Sequence, residues 1–428
     1  MFARFLIPLM VLCSSVQGAD RVQISGQTMG TYYAVTVDGP DEGLTENSLR
    51  NAVDARLREI NRQMSTWDSE SEISRFNQSK STDWHAISRD FLNVINESVR
   101  VYELTSGAFD PTVSPLIDLW GFGKPGRRNV VPGETAIAAA LTHVGLQQLE
   151  VRQEPAAIRR KNSELQINLS AIAKGYAVDA VAEILIERGQ LSWIVDIGGE
   201  TRAGKAKING DPWTVGIERP DATGGDSRDL LRIIPMTDQA VATSGDYRNF
   251  FEVNGLRYSH TINPTTGYPL KTPPASVTVL HRSCATADAL ATAMMVLGQE
   301  QGKKVAAQHD LSVLFQIYDG QGQSITTATG EFVQDDSAAA ESLTDRIQST
   351  VLLFIAAGVI FALALTGMAI GVLLRNREIK GSCGGLASMP GSEGKSICDL
   401  CSVPREECVN EDLRQQMLAS EDQHPDRT

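Results

Sequence analysis

The chain has 428 residues, a formal net charge of −13, 42% hydrophobic residues and 21% charged residues. This length allows two to three domains, and the apolar content is sufficient for a sizeable core. Nucleic-acid binding depends on a dense positive surface, and the sequence has no long basic run apart from a short cluster after residue 374. We therefore predict no nucleic-acid partner.

Residues 1–19 have the pattern of a secretory signal peptide. Arg4 precedes an apolar stretch, and small and polar residues follow as far as Ala19, an order typical of such peptides. The alternatives are a buried N-terminal strand or helix, retention of the segment as an anchor, and lipidation at Cys13. Leu12 argues against lipidation, because processing requires a small residue before the cysteine.

Residues 20–333 alternate between helical and strand patterns without a long linker. Apolar residues at helical spacing predict helices over residues 47–64, 91–104 and 176–187. Short β-like runs predict strands on both sides of a turn at Met29 and Gly30, and again in the second half of this region. The predicted strands are residues 23–25, 32–37, 193–197, 213–217, 240–243, 276–280 and 312–317. We predict an α+β fold with mainly antiparallel sheets.

Residues 351–374 form an uncharged apolar run. A helix that rises about 1.5 Å per residue would cross a roughly 30 Å hydrocarbon core over this length with some tilt. We therefore predict one transmembrane helix, preceded by a polar linker over residues 334–350.

Two separate signals predict the orientation of this helix. Three basic residues follow it within residues 375–380, whereas Asp345 and Arg346 before it cancel. The positive-inside rule therefore places the C-terminal end in the cytoplasm. The signal peptide independently places residues 20–350 on the outer side of the membrane.

Seven polar and glycine-containing motifs follow one another in the outer domain, which has no glycine-rich phosphate loop, Ser-His-Asp signature or HExxH motif. They are Met29-Gly30-Thr31, Gly107 to Thr112, Asn168 to Tyr176, Asp196 to Glu200, Ala242 to Arg248, His260 to Gly267 and Thr286 to Thr292. Asp288 and Thr292 are four residues apart among helix formers, so both oxygens fall on one helical face. Mg²⁺ prefers such sparse oxygen sites, completed by water and phosphates; the alternative is a helix cap or a solvated face.

Other residues of these motifs have both a functional and an ordinary explanation. Lys174, in a turn that opens a helix, could meet a phosphate through its charge and through free backbone N–H groups, or it could be a surface lysine. Gly198-Gly199 and Ser244-Gly245 predict tight turns, with close backbone approach to a ligand as the alternative. His260 stands beside a Pro-Thr-Thr-Gly turn and is either a defined site residue or a structural histidine.

Taken together and in this order, the motifs resemble those of the ApbE-type FAD:protein FMN transferases over residues 25–320. The resemblance implies a two-lobed domain and a periplasmic, Mg²⁺-dependent enzyme. Such an enzyme cleaves FAD, attaches FMN through a phosphoester to a threonine or serine hydroxyl of a target protein, and releases AMP. It further implies that FAD is bound by Met29, Trp67, Ala108, Phe109, Asp110, Asn168, Lys174 and Ile262, and the metal by Ala171 (through its carbonyl), Asp288 and Thr292.

The sequence departs from the family pattern at two of these positions. Asn168 stands where many members have aspartate, so it can hydrogen-bond the flavin but brings no charge to a metal. Trp67 stands where others have tyrosine and keeps an aromatic surface for stacking. For the proton of the acceptor hydroxyl, His260 is the candidate base and Asp288 its rival.

The predicted cytoplasmic tail, residues 375–428, contains four cysteines: Cys383, Cys398, Cys401 and Cys408. Cytoplasmic thiols stay reduced, which disfavours structural disulfides and favours metal or redox roles. The Cys-x-x-Cys spacing at residues 398–401 suits zinc or iron; an unligated tail is the alternative.

Residues 359–401 resemble NqrM, a small membrane maturation factor of the Na⁺-translocating NADH:quinone oxidoreductase. The resemblance rests on Gly367 to Gly371, Ile379 to Gly385 and the Cys-x-x-Cys, and Cys408 lies beyond it. It implies iron delivery to, or assembly of, an iron centre in that enzyme.

The two resemblances predict one cellular setting. The same oxidoreductase carries FMN bound covalently to threonines, so its membrane subunits are the expected targets at a bacterial inner membrane. The alternatives for the outer domain are an FAD-binding carrier and an FAD pyrophosphatase, in which water replaces the protein hydroxyl.

Overall fold

The computed structural model describes residues 21–41, 43–123, 129–219, 229–245, 250–319, 324–333 and Thr366. The chain divides into two units, Met1–Ser337 and Ala338–Thr428. The predicted signal peptide, linker, membrane helix and cysteine tail lie outside the described residues. The exception is Thr366, which falls within the predicted membrane helix and is the single described residue of the unit Ala338–Thr428. In the ranges given above, no helix is both long enough and apolar enough to cross a membrane.

The described residues contain seven α-helices and fifteen β-strands. The helices are α1 Glu46–Met64, α2 Glu72–Gln78, α3 Arg89–Leu104, α4 Ser114–Leu119, α5 Glu134–Leu141, α6 Ala173–Glu187 and α7 Cys284–Gln308. The strands are β1 Arg21–Thr28, β2 Thr31–Asp38, β3 His85–Ala86, β4 Leu149–Arg152, β5 Ala157–Arg160, β6 Trp193–Ile197, β7 Glu200–Ala203, β8 Trp213–Glu218, β9 Leu230–Met236, β10 Gln239–Gly245, β11 Phe250–Val253, β12 Leu256–Ser259, β13 Ser276–His281, β14 Ser312–Tyr318 and β15 Ser324–Ala328.

Eight of the strands form one central sheet in the order β1-β2-β6-β7-β10-β13-β14-β15. Every neighbouring pair in it is antiparallel, and β2 pairs with β6 so that Tyr33 lies opposite Ile197. The α+β fold with a mainly antiparallel sheet is therefore confirmed. Three smaller sheets complete the strand set: β3-β5-β4, β8-β9 and β11-β12.

The central sheet is covered on both faces because its side chains alternate along each strand. Ala240 and Ala242 of β10 belong to the main core with α1, α3, α6 and α7, whereas Val241 between them packs with Trp213 and Ile234 of the β8–β9 hairpin. Successive side chains of a strand point to opposite faces, which gives this division. The helices thus cover one face and the hairpin the other.

A third apolar cluster lies beside α4, α5 and the β11–β12 hairpin. Its fully buried centre is Trp120, which stacks on Tyr258 and donates a hydrogen bond from its indole nitrogen to the Gly267 carbonyl oxygen at 2.8 Å. This bond ties the turn over residues 260–267 to α4. The cluster therefore supports one rim of the cavity described below.

Helices α6 and α7 cross in direct backbone contact at Gly175. A methyl group at this position would lie 2.3 Å from the carbonyl oxygen of Cys284. Asp179, one turn further along α6, accepts hydrogen bonds from the backbone N–H groups of Cys284 and Ala285, both at 3.0 Å. A carboxylate at a helix N-terminus is favourable because the free N–H groups and the helix dipole point toward it. The crossing is therefore fixed both by shape and by charge.

Within residues 20–333, the predicted helices and strands all have counterparts, most of them with boundaries extended by a few residues. The tight turn predicted at Ser244 and Gly245 is wrong, because both residues belong to strand β10 and pair with β13. The helix predicted over residues 47–64 is α1, and the strand over residues 193–197 is β6. Met29 and Gly30 form a two-residue turn with φ angles of 50° and 75° between β1 and β2. The predicted tight turn at Gly198 and Gly199 likewise connects β6 to β7.

Candidate functional site

One cavity of about 740 Å³ gathers most of the predicted site residues. Its walls come from α2 and the turn before it, the turn after α3, the start of α6, the end of β10, residues 260–264 and one face of α7. The predicted residues that line it are Trp67, Ala108, Phe109, Asp110, Asn168, Ala171, Lys174, His260, Ile262, Asp288 and Thr292. A volume of this size is typical of a cofactor or small-molecule site.

Met29 is the predicted flavin-binding residue that does not line this cavity as the structure describes it. It occupies the β1–β2 turn and packs partly buried against the main core. Its left-handed backbone, rare for a residue with a side chain, is required by the tight hairpin. The structure therefore gives Met29 a turn position outside the cavity wall.

A group of three charged side chains lies at the cavity floor: Lys174, Glu200 and Asp288. The Lys174 ammonium contacts the Glu200 carboxylate in an ion pair, and the Gly175 backbone N–H donates to Asp288 Oδ2 at 3.0 Å. Glu200 is almost fully buried, while the Lys174 side chain keeps 31% of its surface exposed. The Lys174 side chain is therefore partly exposed in the cavity, and its ion-pair partner Glu200 is buried in the cavity wall.

Burial and mutual attraction act in opposite directions on these groups. Burial raises the pKa of Asp288, and Lys174 and the Gly175 N–H offset part of that rise. Burial also raises the pKa of Glu200, with Asp288 adding to the effect and Lys174 opposing it. For Lys174, burial favours the neutral amine, but the two carboxylates outweigh it and raise its pKa. The ammonium therefore stays charged.

Asp110 has a largely structural environment although it borders the cavity. Its Oδ1 accepts from the Thr112 N–H at 2.8 Å and from the Thr112 hydroxyl at 2.6 Å, and its Oδ2 accepts from the Leu146 N–H at 3.2 Å. Burial raises the pKa of Asp110, and these three donors oppose the rise. The carboxylate thus fixes the cavity-lining turn after α3.

Asn168 likewise organises the backbone next to the predicted metal position. Its side-chain oxygen accepts from the Ser170 N–H at 2.9 Å and from the Ser170 hydroxyl. The backbone N–H of Asn168 donates to the Pro111 carbonyl oxygen at 2.7 Å. This is the local turn that asparagine favours. It directs the chain from residue 168 through Ala171 into α6.

The oxygen donors predicted for a metal fit a hard cation. Asp288 and Thr292 lie one turn apart on α7, and Ala171 lines the same cavity. Within the described ranges, no group of three or more His, Cys, Asp or Glu side chains could hold a metal. The predicted set contains a single carboxylate and is therefore not a group of that kind. Mg²⁺ is commonly bound by one or two carboxylates together with water and substrate phosphates.

Glu200 adds a second argument for a ligand at this floor. Its Oε2 atom is buried and has no hydrogen-bond partner. A buried acceptor without a donor costs free energy, so such atoms call for an explanation, of which a bound ion or water is one. The residues present therefore fit a hydrated divalent cation.

His260 and Ile262 lie on the opposite rim. The imidazole of His260 packs edge-on against Phe122, with ring centroids 6.4 Å apart, and Ile262 forms a bridge with Pro269. Asn263 accepts hydrogen bonds from the N–H groups of Thr265 and Thr266 at 2.9 and 3.1 Å. These contacts hold the turn over residues 260–267, as its Pro-Thr-Thr-Gly sequence predicted.

Sequence reasoning missed Glu200 as a site residue. Glu200 ends the motif at residues 196–200, for which the sequence predicts only a tight turn at Gly198 and Gly199. The turn is real, and it also presents Glu200 to Lys174 from the neighbouring strand. A glutamate directly after two glycines is a sequence signal for a candidate site residue. Its burial beside Lys174 could not be predicted, because it depends on the packing of α6 against the sheet.

The chain matches the ApbE family over residues 29–315, and the family described as (Na⁺)-NQR maturation NqrM over residues 372–424. The second match corrects the predicted extent of the NqrM resemblance. Residues 359–371 lie outside the match, whereas Cys408 lies inside it together with the other three tail cysteines.

Two relatives match this chain over about nine tenths of their own length. An FAD:protein FMN transferase of Vibrio cholerae serotype O1 is 43% identical over 309 residues, which cover 72% of this chain and 91% of the relative. The FAD:protein FMN transferase of Haemophilus influenzae is 38% identical over 328 residues, which cover 76% of this chain and 92% of the relative.

Solved structures have the same fold as residues 21–333. The flavin transferase ApbE from Vibrio cholerae superposes with a TM-score of 0.68 at 39% identity, covering 74% of this chain and 99% of that chain. The apo form of the Pseudomonas stutzeri flavinyl transferase ApbE gives a TM-score of 0.68 at 35% identity, covering 74% and 96%. The cavity-bearing region of this chain therefore belongs to the ApbE family of flavin transferases, and it is followed by a segment that matches the NqrM family.

Proposed function

We propose that this chain transfers FMN from FAD to a threonine or serine hydroxyl of a target protein and releases AMP. The observation that carries the proposal is the single cavity in which Lys174, Asp288 and Thr292 meet His260 and the aromatic side chain of Trp67. The names of the relatives support it, since both curated relatives described above are FAD:protein FMN transferases.

The cavity residues divide naturally between the two ends of a dinucleotide. Trp67 exposes 71% of its surface at the cavity wall and offers an aromatic face to a flat ring. Phe109 and Ile262 supply apolar surface near the rim, while Lys174 offers its ammonium to the phosphates. In this proposal the predicted FAD contacts of Ala108, Asp110 and Asn168 act through the turns that these residues form.

Ala171, Asp288 and Thr292 are the residues that would hold a Mg²⁺ ion. When bound, such an ion neutralises the two phosphates and stabilises the negative charge that develops on the AMP leaving group. The role of the chain is to bring a carboxylate and a hydroxyl to one face of α7 beside the Lys174 ammonium.

The transfer breaks one P–O bond and forms another. The acceptor hydroxyl oxygen attacks the phosphorus on the riboflavin side, and the bond to the AMP oxygen breaks. The hydroxyl proton passes to a base, for which His260 on the cavity rim is the candidate and Asp288 the rival. The products are a phosphoester-linked FMN and AMP.

The C-terminal segment supports a more specific setting. We propose that the targets are membrane subunits of a Na⁺-translocating NADH:quinone reductase or a related complex, because the chain also matches the NqrM family. The signal-peptide pattern and the basic residues after residue 374 support a catalytic domain in the periplasm and a tail in the cytoplasm of a bacterial inner membrane. In that setting Cys383, Cys398, Cys401 and Cys408 would handle iron or zinc.

One experiment separates transfer from its two alternatives. The purified full-length chain is incubated with FAD, Mg²⁺ and a candidate target subunit, and both in-gel flavin fluorescence and AMP are measured. Labelled target with equimolar AMP is the expected result. AMP without labelled protein would identify a pyrophosphatase, and bound flavin with neither product would identify a carrier.

A matched pair of variants on α7 connects the result to the site. Asp288→Ala should abolish labelling, because it removes the carboxylate at the cavity floor. Glu300→Ala changes an exposed acidic residue of the same helix that does not line the cavity, and it should label at the wild-type rate. Equal labelling by both variants would contradict the assignment of this cavity.

A further inference from the structure

We infer that Glu200 is a positioning residue that holds the Lys174 ammonium away from Asp288, so that the Asp288 carboxylate is available to a divalent cation. The inference rests on the metal-binding set of the proposed function. It concerns a residue that acts through Lys174 rather than by touching the flavin.

The first observation is that Lys174 and Asp288 are held by different partners. Glu200, on β7, has only 4% of its side chain exposed and forms the ion pair with Lys174, which is 31% exposed. Asp288, on α7, receives its hydrogen bond from the Gly175 N–H rather than from the ammonium. Two carboxylates on different elements therefore flank one cation, and only Glu200 pairs with it directly.

The second observation is that Asp288 attracts Lys174 although the two do not form an ion pair. Attraction to Asp288 is the largest single cause that raises the pKa of Lys174, followed by the attraction to Glu200 and the hydrogen bond with it. Charges attract strongly in a buried site because little water screens them. A lysine side chain is flexible enough to change partners. Without Glu200, the ammonium would turn to Asp288 and a metal ion would have to displace it.

Loss of a negative charge near a cation site also weakens metal binding through space, so this simpler explanation must be separated from positioning. The two differ in their dependence on Lys174. A through-space effect of Glu200 persists when Lys174 is removed, whereas a positioning effect disappears. A double-mutant cycle measures this difference directly.

The test uses Mn²⁺ as the probe and follows free Mn²⁺ by electron paramagnetic resonance during titration of the full-length chain. The variants are Glu200→Gln, Lys174→Met and the double variant, with Asp288→Ala as the blank that subtracts ions bound elsewhere. Glu200→Gln should weaken Mn²⁺ binding about tenfold when Lys174 is present, the scale of losing a partner that orients a metal ligand. In the Lys174→Met background, the same change should alter binding by less than about twofold.

Two further variants make the outcome independent of lost charge and of general damage. Glu200→Asp keeps the charge but shortens the side chain, and it should also weaken Mn²⁺ binding while Lys174 is present. Asp196→Asn changes a partly buried carboxylate of the same hairpin, which accepts from the Thr201 hydroxyl at 2.8 Å and does not line the cavity. It should leave Mn²⁺ binding unchanged.

Three results would overturn the inference. They are equal weakening by Glu200→Gln in both backgrounds, no weakening by Glu200→Gln, and full Mn²⁺ affinity in Glu200→Asp. Absence of an Asp288-dependent Mn²⁺ site in the wild-type chain would remove the metal from the proposed function and this inference with it. A chain that shows the expected cycle but labels no target would count against the transferase proposal alone.

Discussion

Asp110 accepts three hydrogen bonds from its own side of the cavity, two from Thr112 and one from Leu146. Thr112 in turn accepts from the Gly145 N–H through its hydroxyl at 2.7 Å. Asp110 belongs to a predicted flavin-binding motif, yet its carboxylate oxygens accept hydrogen bonds from the protein framework. Sequence motifs identify such positions, but they do not separate contact with a ligand from construction of the wall around it.

Asp110→Asn should therefore lower stability as well as change flavin binding. Asparagine has a single side-chain oxygen, whereas both oxygens of Asp110 accept hydrogen bonds. The substitution therefore leaves at least one of the buried donors of Thr112 and Leu146 without an acceptor. We expect a loss of about 1–3 kcal/mol in the free energy of unfolding, measured by urea denaturation.

The control for this prediction is Asp83→Asn. Asp83 is exposed and accepts from the Ser81 hydroxyl at 2.9 Å, and exposed substitutions of this kind change stability by no more than about 0.5 kcal/mol. Equal stability losses in the two variants would contradict the framework role of Asp110.

At the scale of elements, the crossing of α6 and α7 carries the cavity floor. Gly175 allows the two backbones to touch, and its N–H reaches Asp288 on the other helix. The sequence predicted α6 and the shared helical face of Asp288 and Thr292. It could not predict the crossing, because that contact joins segments that are distant in the chain.

The elements that escaped prediction have physical reasons in common. The extent of α7 was not predicted beyond the helical face of Asp288 and Thr292, because residues 284–295 are almost all buried and lack the periodic contrast that identifies an amphipathic helix. The helix α2 has seven residues and β3 has two, too few to display a period. In contrast, α1 has a buried stripe at Leu49, Val53, Leu57 and Ile60, and it was predicted from that stripe.

Gly175→Ala should destabilise the domain strongly, because the added methyl would lie 2.3 Å from the Cys284 carbonyl oxygen and would push the helices apart. Overpacking of this kind costs about 1–3 kcal/mol or more. Gly133→Ala is the matched control, since Gly133 has a φ of −71° and no atom within 4 Å of a new methyl. Thermal unfolding of both variants checks the prediction, and similar melting temperatures would contradict it.

A second element-scale prediction concerns Asp90, which connects three helices. It accepts from Arg56 of α1 at 2.8 Å and from the Tyr176 hydroxyl of α6 at 2.6 Å. The Arg56 hydrogen bonds are the main cause of a lowered pKa of Asp90. A carboxylate with a lowered pKa stabilises the fold above its unfolded value of about 3.9, and this contribution is lost as the pH falls through the folded value.

Asp90→Asn should therefore cost about 1 kcal/mol at pH 7, a modest figure because solvent partly screens the pair. The difference from wild type should shrink as the pH is lowered below about 4. Urea denaturation across pH 3 to 7 measures this difference. Tyr176→Phe keeps the Arg56–Asp90 ion pair and should retain most of the acid-induced decline, whereas a difference independent of pH would contradict the prediction.

At the scale of the whole molecule, an ApbE-family region and a segment that matches the NqrM family share one chain, and the proposed activities use different residues. The flavin-transfer residues lie within residues 29–315, and the four tail cysteines lie within residues 372–424. The order of seven motifs predicted the ApbE family, and a short set of glycine and cysteine motifs predicted the match to the NqrM family. The placement of Glu200 beside Lys174 was not predictable, because it depends on how the sheet packs on α6.

The two activities should separate genetically in the full-length chain. Asp288→Ala should abolish FMN transfer and leave the iron or zinc content of the anaerobically purified protein unchanged. Cys398→Ser combined with Cys401→Ser should lower that metal content and leave transfer at the wild-type rate. Loss of both activities in either variant would show that the two segments depend on each other.

The pairing of β2 with β6 also determines when this cavity can exist during synthesis. The hairpin β1–β2 leaves the ribosome early, but its partner strand ends at Ile197, and Asp288 emerges later still. Pairings between distant segments form slowly because a long loop must close first. The nascent chain therefore holds an unpaired strand edge for much of its synthesis, and no partial product contains a complete flavin site. We therefore expect flavin to be retained only by molecules in which all strands of the central sheet have paired.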